Sequence, residues 1–130
     1  MAQHLDELLA RLTVRRRPGG WCLVSGVAVP HGMEVAATIV EDEGTTTVLR
    51  FEDAERLGVP VAFVAAWLTV EIATELDLVG LTAAVATALA DAGVACNVLA
   101  GFHHDHLLVP VDDADRAIAV LGALRDSRDA

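Results

Sequence analysis

Lysine and tyrosine are absent from the 130 residues, and cysteine, methionine and tryptophan occur only twice each. Without lysine there is no phosphate-binding loop of the G-x-x-x-x-G-K type, whose lysine reaches the phosphates. Nine arginines face nineteen acidic residues, leaving a formal net charge of −10. That balance argues against a nucleic-acid surface, which needs a basic patch to neutralise phosphates. Aromatic residues make up 4% of the chain, so Ala, Val and Leu must fill the core, and small side chains suit close packing of helix on sheet. No apolar run approaches the roughly 20 residues of a membrane helix. The chain opens Met1-Ala2-Gln3-His4-Leu5-Asp6-Glu7, with acids where a signal peptide carries positive charge. Cys22 and Cys96 each sit in an apolar run and read as buried thiols of a reducing compartment, with a disulfide between them not excluded. The expectation is a cytoplasmic protein with no membrane segment.

What is present is a rich supply of apolar residues, 54% of the chain, enough for one compact unit or two very small ones. Leu5, Leu8, Leu9 and Leu12 recur at helical spacing and predict a short helix over 4–12. Arg15-Arg16-Arg17 before Pro18-Gly19-Gly20 reads as a solvated loop. Trp21 to Val29 is β-rich and stops at Pro30-His31-Gly32. Val35–Glu41 and Thr45–Phe51 form a predicted hairpin about Asp42-Glu43-Gly44, followed by a short helix over 52–57. Val61–Ile72 predicts a long strand. Leu81, Ala84, Val85, Ala88, Leu89 and Ala92 share one helical face, ended by Gly93. Strands are expected at 94–101 and 104–111. A last helix capped by Asp112 or Asp113 buries Ala114, Ala117, Ile118, Leu121 and Leu124, and a polar tail follows Arg125.

The second half therefore runs β-α-β-β-α. The first half runs α-β-β-β-α and feeds the strand at 61–72. The order predicts an α+β fold with two degenerate ferredoxin-like βαββαβ halves, 1–60 and 61–130, a mostly antiparallel sheet, and helices on one face. The strand 61–72 is apolar on both faces, with Val64, Ala66, Leu68 and Val70 on one and Phe63, Ala65 and Trp67, then Thr69, on the other. Its second face must be covered by the other half, by another subunit, or by both.

The centre of this pattern is Asp77-Leu78-Val79-Gly80-Leu81-Thr82-Ala83-Ala84-Val85, where the strand ends and the helix begins. The first N–H groups of a helix lack intrahelical partners and favour negative charge. N–H groups near Gly80 and Leu81 could hold a carboxylate, Gly80 would let a ligand approach the backbone, and Asp77 could meet an ammonium group. Alternatively, Asp77 caps the helix and Gly80 permits the turn. His103-His104-Asp105-His106 offers imidazole and carboxylate ligands, but alternation puts His104 and His106 on one strand face and Asp105 on the other. That leaves an incomplete metal site and favours a polar hairpin, so neither a metal nor a cofactor is expected. Glu41, Asp42 and Glu43 read as a solvated turn. Cys22 and Ser25 lack a local base. No catalytic set emerges.

Asp77-x-x-Gly80 within β-α-β-β-α resembles the ACT domain. Three segments, 41–46, 79–85 and Cys96 to Pro110, are similar to short bacterial stand-alone proteins with tandem ACT-like halves, and cytosolic arginine sensors of animal cells look like larger relatives. The resemblance implies a non-catalytic regulatory or sensor role with a small-molecule ligand, most often an amino acid. It places that ligand against Asp77, Leu78, Val79, Gly80 and Leu81 and against Asn97 and Val98 of a facing strand. Where the ACT loop often has proline before the glycine and an aliphatic residue two after it, this chain has Val79 and Thr82. ACT-like units usually associate further, so a homodimer covering Trp67 is expected. Two alternatives are a purely structural interaction module and a metal-binding enzyme using His103–His106.

Overall fold

The structure, a computed structural model, describes residues 2–72 and 79–129. In chain order the elements are α1 (Ala2–Leu9), β1 (Thr13–Ser25), β2 (Ala37–Glu41), β3 (Gly44–Arg50), α2 (Phe51–Arg56), β4 (Ala65–Glu71), α3 (Leu81–Asp91), β5 (Asn97–Ala100), β6 (Asp105–Pro110), a 3-10 turn over Val111–Asp113, and α4 (Ala114–Asp129). The fold is α+β and ferredoxin-like, as the element order predicts.

The chain forms two compact units. The first joins Met1–Arg17 to Ala66–Ala130; the second is Pro18–Ala65. This partition differs from a division at 60/61. The reason is packing: the leucines of α1 belong to the core built by the second half of the chain, so the N-terminal segment goes with residues 66–130.

In the first unit the strand order is β1-β4-β6-β5, with β5 and β6 antiparallel and Asn97 opposite Leu108. The helix-facing side of the sheet carries Ala66, Leu68, Val70, Leu107 and Val109. They pack with Leu9 and Leu12, with Leu81, Val85 and Leu89 of α3, and with Ala114, Ala117 and Leu121 of α4. These are the positions the helical periodicity singled out. Burying side chains of this size contributes about 1.5–3 kcal/mol each. α3 ends where the Val94 N–H turns back to the Leu89 carbonyl at 2.9 Å. The polar tail expected after Arg125 is helical as far as Asp129.

β4 begins at Ala65, not at Val61, and all of its residues through Val70 are buried. Trp67 is 4% exposed within a single chain, so no second subunit is needed to cover it. Arg17 lies over its ring, 4.9 Å from the centroid. The Arg15–Arg17 run is consequently strand and not loop. Arg15 pairs with Glu71 at 3.5 Å on one face, while Arg16 approaches Asp115 at 3.8 Å on the other.

The second unit pairs β3 antiparallel with both β1 and β2. Glu41 faces Gly44 across the predicted turn. Its small core is Cys22, Val24, Leu49 and Ala54, flanked by Val27, Val29 and Leu57. Within β1, Gly19 has φ +95° and passes 2.9 Å from the Arg50 guanidinium, measured to where a Cβ would sit. A side chain there would be strained and obstructed. Arg50 also stacks on Trp21 at 4.6 Å and pairs with Glu34 at 2.8 Å.

Candidate functional site

α3 starts directly after Gly80, which has φ +102° and no capping side chain; the Ala84 N–H donates to the Gly80 carbonyl at 2.9 Å. The close approach that Gly80 permits is made by the protein itself. A Cβ at this position would lie 2.8 Å from Cδ2 of Leu5 in α1. Val79 is 72% exposed, whereas Leu81 turns inward to the core. Asn97 is exposed at the start of β5, and Val98 is half-buried beside it. Asp77 and Leu78 lie outside the described residues.

The structure brings one of these residues into a concavity. Val98 joins Val70, Thr82, Val85, Asp105 and Leu107 around about 210 Å³ of space, open mouth included, within which no water-sized sphere fits. Thr82 and Val85 come from the first two turns of α3, Val98 from β5, and Asp105 and Leu107 from β6. Leu81 and Asn97 do not line it: Leu81 is buried in the core beside Val85 and Leu89, and Asn97 alternates with Val98 along β5. Thr82 and Asp105 line the concavity and lie outside the residues expected to hold a ligand. The signal for Asp105 was present in the strand alternation, which places it with Leu107 and Val109 and opposite His104 and His106.

That opposite face holds a polar chain. Trp67 Nε1–H donates to Thr69 Oγ1 at 3.1 Å, and Thr69 Oγ1 shares a hydrogen bond of 3.0 Å with His106 Nδ1. The His106 ring lies 5.0 Å from the Trp67 ring and 6.4 Å from that of His104. Burial, first, and the neighbouring His104, second, push the ionisation of His106 below its ordinary range. Asp105 opposes this, and Arg17 and Arg15 reinforce it. His104 Nδ1 is buried with no hydrogen-bond partner among the described residues. His103 reaches outward and stacks edge-on with exposed Phe102 at 5.0 Å. Among the described residues no three His, Cys, Asp or Glu side chains come together as a metal set. Cys22 and Cys96 are free thiols whose ionisation is pushed up by burial. No helix among the described residues is long and apolar enough to cross a membrane.

Comparison with known proteins gives a consistent set of likenesses. One model of the ACT domain matches residues 63–123, and a second ACT-domain model matches residues 2–66. A Vibrio cholerae protein of unknown function, described as a possible transport protein, shares 31% identity. The match covers 95% of this chain and 98% of that one, with a TM-score of 0.86. The regulatory subunit of aspartate kinase from Thermus thermophilus, in its ligand-free form, aligns at a TM-score of 0.61 and 11% identity, over 85% of this chain and 95% of its own. E. coli aspartokinase III in complex with aspartate and ADP aligns at a TM-score of 0.58 and 13% identity, over 87% of this chain and 32% of its own. At such identities these two likenesses concern the fold. No curated protein matches the chain.

Proposed function

The chain belongs to the ACT-domain family, and from that premise we propose that it is a non-catalytic sensor or regulatory protein that binds a free amino acid. The observation that carries the reading is the concavity at the N-terminal end of α3, where an apolar lining meets Thr82 and the carboxylate of Asp105. An amino acid needs these features: a small apolar recess, a group for its ammonium, and unpaired helix N–H groups for its carboxylate. The proposed site comprises Val98, Asn97, the backbone of Val79, Gly80 and Leu81, and Asp77 and Leu78. Regulatory subunits of aspartate kinase share the fold, which supports a regulatory role over a catalytic one.

The proposed assembly is a two-fold homodimer in the cytoplasm. Free thiols at Cys22 and Cys96 suit a reducing compartment. The support for assembly no longer comes from Trp67. It comes from the outer strand β2, where Ile39 is 42% and Val40 83% exposed, since bare apolar edges invite pairing. Sedimentation at micromolar concentration tests it: a species of twice 13.7 kDa supports the dimer, and a clean monomer removes it.

A thermal-shift screen of the free amino acids tests the binding role. A ligand at a hundred times its Kd stabilises the folded state by about 2.7 kcal/mol, a shift of several degrees for a domain of this size. At least one amino acid is expected to give that shift. If none does at millimolar concentration, the amino-acid reading fails and the chain is an interaction module.

A further inference from the structure

The His106 ring lies between Thr69 of β4 and the turn that joins β5 to β6. On one side Thr69 Oγ1 and His106 Nδ1 share a hydrogen bond of 3.0 Å, while Trp67 Nε1–H donates to the same oxygen at 3.1 Å. Thr69 is 3% exposed and makes no third hydrogen bond among the described residues. A hydroxyl has one hydrogen to give. Here it finds an acceptor only if His106 Nδ1 carries a lone pair, so the neutral Nε2–H tautomer is the one that satisfies Trp67, Thr69 and His106 together. On the other side, a Cβ on Gly101 would lie 3.1 Å from His106 Nε2 and 2.9 Å from the His104 carbonyl oxygen. The missing side chain lets the ring fit against the turn, which the Gly101 N–H closes by donating to that carbonyl at 2.9 Å.

We propose that the β5–β6 hairpin is an acid-released latch, closed by the neutral His106 ring seated between Thr69 and Gly101. The inference is independent of the amino-acid reading. A proton on Nδ1 aims both Nδ1–H and Trp67 Nε1–H at Thr69 Oγ1 and leaves the Thr69 hydroxyl hydrogen without an acceptor in a buried site. It also adds a positive charge to surroundings that hold Arg15 and Arg17 of β1 and His104 of β6. Against these stand Asp105 and, on β4, Glu71, which is paired with Arg15 at 3.5 Å. β5 brings no charged side chain. The ring cannot leave Thr69 without pressing on Gly101, so the displacement passes to the turn. β5 is the outermost strand and joins the sheet through β6 alone, so it is the part that gives way while the helix-facing core stays packed. Burial and then His104 lower the ionisation of His106 in the closed state. The latch is therefore fully closed above the ordinary histidine range near pH 6.5 and loosens as the pH falls toward the lowered value.

Nuclear magnetic resonance of the intact chain tests this in two steps. Long-range proton–nitrogen correlation of the imidazoles at about pH 8 reads the tautomer. An acceptor-type Nδ1 on His106 is expected, and an Nδ1–H tautomer overturns the latch. Amide exchange at about pH 8 and about pH 5, each rate divided by its unstructured-chain value, reads the opening. Protection of Gly101 and of the amides that pair β5 with β6 should fall about tenfold or more in acid, while Leu121 in α4 keeps its protection. Equal protection of the hairpin at both pH values overturns the proposal. So does a parallel loss at Leu121, which reports unfolding of the whole unit. His106→Asn keeps an oxygen that accepts from Thr69 in the place of Nδ1 but does not titrate, so its hairpin protection should be the same at both pH values. A fall that persists in this variant assigns the response to His103 or His104 and overturns the proposal. If His106→Asn does not fold, the wild type still decides: the midpoint of the His106 ring titration must coincide with the midpoint of the Gly101 protection, and separate midpoints overturn the latch.

Discussion

Replacing Gly80 with alanine tests whether the start of α3 is shaped by the chain itself or kept open for a ligand. Two costs can be assigned. Gly80 has φ +102°, a region where a Cβ meets the following carbonyl at about 1–2 kcal/mol. As the residue preceding the helix it is also better than alanine by about 0.5–1 kcal/mol. The third effect is steric: the new Cβ would lie 2.8 Å from Leu5 Cδ2. That atom is the tip of a flexible side chain and can withdraw, so this contribution is small beside the backbone one. Gly80→Ala should therefore lose about 2 kcal/mol, against a typical domain stability of about 5–15 kcal/mol. Urea unfolding measures it as a lower midpoint at unchanged m-value. Combining Gly80→Ala with Leu5→Ala should give losses that add within about 0.5 kcal/mol. A midpoint equal to wild type would refute the backbone argument. A coupling well above 1 kcal/mol would show that Leu5, not φ, sets the cost.

Two further outcomes follow from the opposite sheet face. Burial and then His104 lower the ionisation of His106, so its folded-state pKa lies below its unfolded value, the unfolded state takes up more protons in between, and stability rises with pH across that window. Its contribution is complete above the ordinary histidine range near pH 6.5 and is lost as the pH falls toward the lowered value; His106→Gln should flatten this part of a stability–pH profile, and a profile identical to wild type would refute the assignment. Trp67→Glu places a charge at a position 4% exposed in one chain, so it should abolish cooperative unfolding whatever the oligomeric state; a folded variant that only fails to assemble would show that the burial of Trp67 depends on a partner.

Much of the fold was legible because its signals are local. Leu81, Val85 and Leu89 repeat at helical spacing and bury one face of α3. Ala114, Ala117 and Leu121 do the same for α4. The β2–β3 turn is written in Asp42-Glu43-Gly44. The strand character of Arg15–Arg17 was not legible, because three arginines followed by Pro18 and Gly19 are locally a loop. They are extended because Arg15 meets Glu71, Arg16 meets Asp115 and Arg17 covers Trp67, partners more than 40 positions away in the chain. The start of β4 at Ala65 was hidden for the converse reason: Val61 to Val64 look like strand by composition and lie outside it. At the candidate site, the side chain that lies against Gly80 was unreadable, since Leu5 reaches it only through tertiary packing. Alternation along β6 places Asp105 on the face opposite His104 and His106, as the structure has it.

The composition of the first unit from Met1–Arg17 and Ala66–Ala130 has a consequence for how the chain matures. On the ribosome, α1 and the first part of β1 emerge early and then wait for the strands and helices they pack with. At about 5–20 residues per second the delay is on the order of several seconds. Throughout it Leu5, Leu8, Leu9 and Leu12 have no core to enter, while Pro18–Ala65 is already fully synthesised. The first unit is thus the last to close, and closing it spans a long loop whose entropy must be met before its contacts form. Nascent chains arrested before Asp105 should keep their N-terminal leucines open to proteolysis, and those that extend beyond α4 should protect them.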